Sequence, residues 1–163
     1  MKNQKFLLII LLTIFVGIIS CSKDDDPAPD NIWNESKITF TKIDGADWTL
    51  EANQDRITSN VWITRANSKG IFNIKIESTY EGSDDSGSSP HDTEWAFGTT
   101  TDLSTLNFGT WAEKHDGYPG DLVGEDMVMH LITDNIYIDI KFLTWSSGGD
   151  GGQGGFSYIR GTK

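Results

Sequence analysis

Three histidines and a scatter of loop carboxylates are the residues of this chain with the plainest capacity for chemistry. His91 and His115 each precede an aspartate in a stretch that reads as loop, which suits a metal ligand or a general base, since a carboxylate can orient and polarise an imidazole. No H-E-x-x-H or His-x-His spacing brings two of the three, His130 included, onto one face, so a zinc site would need distant loops to converge. Residues 81–92, EGSDDSGSSPHD, carry Asp84, Asp85 and Asp92 among Gly and Ser. That mixture of side-chain and backbone oxygen is what Ca²⁺ takes as its ~6–8 ligands. These three are the candidate metal ligands and calcium the candidate ion, with solvated loop charge as the alternative, because no EF-hand spacing accompanies them.

Catalysis by paired carboxylates needs two carboxyl groups about 5 to 9.5 Å apart, and Glu94, Asp116, Asp121, Glu125, Asp126 and Asp150 add to the supply without any spacing that selects a pair. There is no G-x-S-x-G elbow. The run GGDGGQGG (148–155) is neither a P-loop nor a strand-to-helix dinucleotide turn, and reads as a flexible hairpin loop. No catalytic residue can be named and no organic cofactor is implied.

Six tryptophans are a large number for a chain of 163 residues, and each is a flat apolar surface on which a sugar ring can stack. Trp62 and Trp95 sit among apolar neighbours in strand-like runs and belong to a core. Trp33, Trp111 and Trp145 fall near loop junctions. Trp111 and Trp145 are the candidate ligand-binding pair, as exposed platforms, with burial against the edge of the fold as the alternative.

The single cysteine has a different role. Lys2 and Lys5 precede a 14-residue stretch, Phe6 to Ile19, broken only by Thr13 and Gly17, which matches the charged and apolar regions of an export signal and is too short for a bilayer span of ~20 residues. At its end, Ile18-Ile19-Ser20-Cys21 resembles the lipobox of bacterial lipoproteins. The resemblance implies cleavage before Cys21, a diacylglyceryl thioether on its sulfur and an acyl chain such as palmitate on its amine. Two or three such chains anchor a protein stably, where one alone binds marginally. Ser22-Lys23-Asp24-Asp25-Asp26 further resembles the Lys-plus-acidic export tag of Bacteroidota lipoproteins, which implies display on the outer face of the outer membrane, with a periplasm-facing anchor as the alternative.

The elements that must position these residues are ordered along the chain. Residues 1–20 are read as signal peptide, and 21–36 as lipidated cysteine and acidic tether, since DDDPAPD lacks side chains to bury. Residues 37–163 are read as one domain. Beyond Ser20 the chain holds 11 basic against 24 acidic residues, a net of −13, which disfavours nucleic acid as a partner because phosphate binding rests on Lys and Arg. KITFTKI (37–43) alternates at period two. ITSNVWITR (57–65) and IFNIKIESTY (71–80) read as a hairpin, with Phe72, Ile74 and Ile76 on the buried face. MVMHLITDNIYIDIKFLTW (127–145) is the clearest pattern, a second hairpin about Thr133-Asp134-Asn135 with Ile136, Ile138, Ile140 and Phe142 on one face. FSYIR (156–160) is a closing strand. No stretch after Ile19 repeats apolar residues at helical spacing over three turns. The expected fold is all-β, an antiparallel β-sandwich or jelly roll of about eight strands, with a β-barrel as the alternative.

Through ADWTL, NQDRIT, VWITRAN, GIFNI, EWAFGTT, HLIT, IYIDIKF and GGFSY, the chain from Asp47 onward also resembles a module of secreted bacterial proteins with no activity attached to it. That resemblance implies an exported β-module. The function expected is a non-enzymatic surface binding module for a glycan or a partner protein; the alternatives are a small polysaccharide hydrolase and a structural surface subunit without a ligand.

Overall fold

Alternation at period two becomes paired strands wherever one face can be buried. In the computed structural model, which describes residues 31–83, 86–148 and 151–163, these strands are β1 (Ile32–Trp33), β2 (Ser36–Lys42), β3 (Asp55–Arg56), β4 (Trp62–Arg65), β5 (Ile71–Asn73), β6 (Thr93–Phe97), β7 (Met127–Leu131), β8 (Ile136–Trp145) and β9 (Phe156–Thr162). A one-turn α-helix, α1 (Trp111–His115), lies between β6 and β7, flanked by 3-10 helices at Thr100–Thr105 and Pro119–Leu122. The larger sheet runs β2-β9-β8-β7-β6, and β1 adds to it in parallel on β8. β3, β4 and β5 form a separate antiparallel sheet. The protein is an all-β sandwich and does not close into a barrel.

One face of the larger sheet is the core. Trp95, Phe142 and Tyr158 are fully buried on it. Their rings, with Phe40, make a row across the strands: Phe40 to Tyr158 5.7 Å, Tyr158 to Phe142 5.7 Å, Phe142 to Trp95 6.1 Å. Ile57, Val61, Ile63 and Ile71 of the smaller sheet and its turns pack in the same cluster. Aromatic pairs at such spacing contribute beyond their buried area, by about 0.5–1.5 kcal/mol each. Two charged residues cross between the sheets. Arg160 of β9 donates to both oxygens of Asp55 of β3, at 2.7 and 2.9 Å, and the Tyr158 hydroxyl donates to Asp55 at 2.7 Å. All three are buried.

The opposite face is covered by chain rather than by a sheet. The segment after β6 crosses it, so that Phe108 packs edge-on against His130 and Tyr137, and Asp139 accepts from the Thr100 amide at 2.7 Å.

Three features differ from the reading of the sequence. The sheet takes in Ile32 and Trp33, inside the stretch assigned to the tether. The segment 71–80 is a strand only as far as Asn73. The Asn73 side chain accepts from the Trp62 amide, and the buried Glu77 carboxylate accepts from the Asn73 and His91 amides, so the chain turns out of the sheet and Ile76 is exposed. Finally, a bulge at Leu143 interrupts β8. Phe142 pairs Tyr158 and Trp145 pairs Phe156. Tyr158 and Phe156 share a face, so the bulge turns Trp145 toward the core where strict alternation would have sent it outward. No helix among the described residues is long and apolar enough to cross a membrane; the apolar stretch 6–19 and Cys21 lie outside those residues.

Candidate functional site

The β8 bulge, the turn between β4 and β5, and α1 meet at one end of the sandwich around an open cleft of about 600 Å³. Trp145 comes from the end of β8. Arg65, Ser68, Lys69 and Gly70 come from β4 and its turn, Tyr80 and Ser83 from the chain after β5, and Trp111, His115, Tyr118 and Asp121 from α1 and the turn after it.

Local chemistry places each piece. A reciprocal capping box starts α1: the Thr110 hydroxyl accepts from the Glu113 amide at 3.2 Å and the Glu113 carboxylate accepts from the Thr110 amide at 2.8 Å. Asp116, in the left-handed conformation with φ 45°, ends the helix after five residues. Trp111 and His115 are one turn apart on it, with ring centroids 4.2 Å apart. Trp111 also meets Trp145 at 5.4 Å and Tyr80 edge-on at 6.3 Å. Gly70 permits this. A methyl group there would sit 2.5 Å from the Tyr80 ring and 2.8 Å from that of Trp111.

The two tryptophans singled out in the sequence are therefore neighbours, and neither is a freestanding platform. Trp111 is 1% exposed because α1 turns it inward against three rings, and its indole N–H is buried without an acceptor among the described residues. Trp145 is half-buried, and the Arg65 guanidinium lies over its ring at 3.7 Å. The exposed aromatic of the cleft is Tyr118, 70% accessible on the turn after α1. Sequence reasoning missed it, as it missed α1. The signals were the capping-box spacing Thr110-x-x-Glu113 and a tyrosine between Gly117 and the Pro119-Gly120 turn.

Two buried cations, Arg65 in the cleft wall and Lys42 behind it, hold the glycine-rich run. Arg65, 2% exposed, donates Nε to the Lys69 carbonyl at 2.6 Å and Nη1 to the Gly155 carbonyl at 2.9 Å. Burial pulls its pKa down to about 10, with Asp44 acting in the opposite direction. Lys42, equally buried, donates to the Gly154 carbonyl at 3.2 Å. Its pKa is lowered by burial and then by Arg65, against Asp44 and Asp47. Asp44 accepts from the Ser146 hydroxyl and the Gln153 and Gly155 amides, which holds its carboxyl below the usual range. The described end of the glycine-rich run is thus pinned by side chains on both sides, where its composition reads as a free loop.

The other candidate residues lie elsewhere. Asp92 accepts from the amide and hydroxyl of Thr133 at 2.9 and 2.8 Å, fastening the start of β6 to the turn between β7 and β8. Asp84, Asp85 and Asp150 lie outside the described residues, among which no group of three His, Cys, Asp or Glu side chains could hold a metal ion. The histidines do not converge: His91 meets Ser88 at 2.7 Å, His115 lines the cleft, and His130 stacks on Tyr137 under Phe108. Asp121 is the one carboxylate among the described residues lining the cleft. No family model, curated protein or solved structure shows significant similarity to the chain.

Proposed function

We propose that this protein is a non-enzymatic glycan-binding module, held through lipid on Cys21 to the outer membrane and displayed on its outer face. The observation that carries the binding reading is the convergence of Tyr80, Trp111, Tyr118 and Trp145 on one open cleft of about 600 Å³. Aromatic rings stack on the apolar C–H faces of sugars, and neighbouring polar groups such as Ser68, Ser83 and Asp121 bond hydroxyls and set orientation. Tyr118 is the platform, and Trp111 and Trp145 are the supporting wall. The hydrolase alternative would require a second carboxylate opposite Asp121, and the described lining holds none.

A glycan array probed with the detergent-solubilised full-length chain tests the binding. Binding of one sugar class, weakened about tenfold by Tyr118→Ala through loss of ~1.4 kcal/mol of stacking, is expected. Release of reducing ends from a bound polysaccharide would refute the non-enzymatic reading. For the address, labelled palmitate should enter the wild-type chain and not Cys21→Ser, and protease treatment of intact cells should remove the domain; protection from protease would place it on the periplasmic face.

A further inference from the structure

We propose that the cleft takes an acidic glycan, with a carboxylate or sulfate of the sugar meeting Arg65 and Lys69 while Tyr118 stacks on the ring. The inference rests on the glycan reading above and narrows it to anionic sugars. Among the described residues the charge reverses locally at the cleft. A chain with a formal net charge of −11 puts Arg65 and Lys69 on one side of the cleft, with Asp121 the one carboxylate among the described lining residues.

Arg65 is the informative side chain. Its guanidinium is buried, lines the cleft and makes no ion pair among the described residues. Nε and Nη1 are spent on carbonyl oxygens, which fix the plane of the fork and leave Nη2 with no acceptor among the described residues. Asp44, the carboxylate whose field reaches Arg65, is itself satisfied by three donors, the Ser146 hydroxyl and the Gln153 and Gly155 amides of the glycine-rich run. A desolvated guanidinium held rigid by backbone bonds and by the Trp145 ring at 3.7 Å is a poor partner for a neutral hydroxyl and a strong one for an anion. Lys69, exposed on the same turn, adds a second positive charge at the mouth. Since Arg65 occupies a face of Trp145, the sugar ring is left to Tyr118.

The test is calorimetric titration of the detergent-solubilised full-length chain with four polymers: polygalacturonate, its fully methyl-esterified form, dextran sulfate and dextran. Binding of an anionic polymer about tenfold or more tighter than its uncharged counterpart, weakening as salt is added, supports the proposal, and the two pairs separate carboxylate from sulfate. Lys69→Gln, an exposed change that leaves the fold intact, should weaken that binding about three- to tenfold; Arg65→Gln should weaken it more, with far-ultraviolet circular dichroism confirming that the variant folds. Equal binding of charged and uncharged polymers, sensitive to Tyr118→Ala, overturns the acidic preference and leaves the glycan reading standing. Anionic binding indifferent to Lys69→Gln and to a folded Arg65→Gln also overturns it. Failure of all four polymers overturns it as well, and a blank glycan array would then dispose of the broader reading separately.

Discussion

A buried lysine is costly unless something compensates its charge, and Lys42 has a single carbonyl to bond. Its pKa in the folded chain is depressed below 10.5, first by burial and then by Arg65. Between that depressed value and 10.5 the unfolded chain binds more protons than the folded one, so stability rises with pH across the window. Lys42→Met removes the group and so isolates its contribution from the other titrating residues. Urea unfolding at about pH 7 and about pH 10 should show the wild type gaining stability relative to Lys42→Met as the pH rises. A difference that stays constant, or moves the other way, would mean that the ammonium reaches water. Alternation in KITFTKI already puts Lys42 on the face of Ile38 and Phe40, but a lysine at a strand end reads as reaching solvent, and its burial follows from the pairing of Lys42 with Phe156.

At the scale of elements, the first two strands join the larger sheet in turn, the two-residue β1 in parallel on β8 and then β2 antiparallel on β9. Between them the chain crosses directly over Gly161. A methyl group at that position would collide with the Trp33 carbonyl oxygen and lie 2.7 Å from its carbon. Gly161→Ala should therefore lift β1 off β8 and cost about 1–3 kcal/mol, measured by chemical denaturation, with hydrogen exchange accelerating at Trp33 and Tyr137. An unchanged unfolding midpoint would show that the crossing is slack. The crossing also bears on the proposed tether, because a pull from Cys21 would reach the larger sheet first through these pairs.

At the scale of the whole molecule, a buried ion pair ties one sheet to the other. Asp55 on β3 receives two bonds from Arg160 and one from Tyr158 on β9, and removing it strands a cation between the sheets. Asp55→Ala should cost about 3–5 kcal/mol, read from urea unfolding at fixed pH, while replacing Asp55 and Arg160 together by apolar residues of similar volume should recover most of that loss. A penalty below about 1 kcal/mol for the single change would indicate a solvated pair, as at a surface. The cleft depends on the same packing, since its walls come from the smaller sheet's turn, from α1 and from the far end of β8.

How far the sequence alone reached can be judged from Ile138 and Trp145. Both lie in one alternating run, which correctly identifies a hairpin and, with FSYIR as closing strand, an all-β sandwich, because a period-two apolar pattern has only one way to bury its face. Trp145 escapes that logic. A one-residue bulge at Leu143 reverses its side, and a bulge is decided by what the partner strand offers, here Ser157 and Phe156, not by the residues around it. The long strand expected over residues 71–80 ends at Asn73 for a similar reason, since the bonds to Asn73 and Glu77 come from Trp62, Ser89 and His91. Composition and periodicity determined that this is an acidic β-sandwich with aromatic side chains to spare. Tertiary structure alone decided that four of those aromatics, with a buried arginine, enclose one cleft, because segments far apart along the chain meet there through sheet register, which local alternation does not encode.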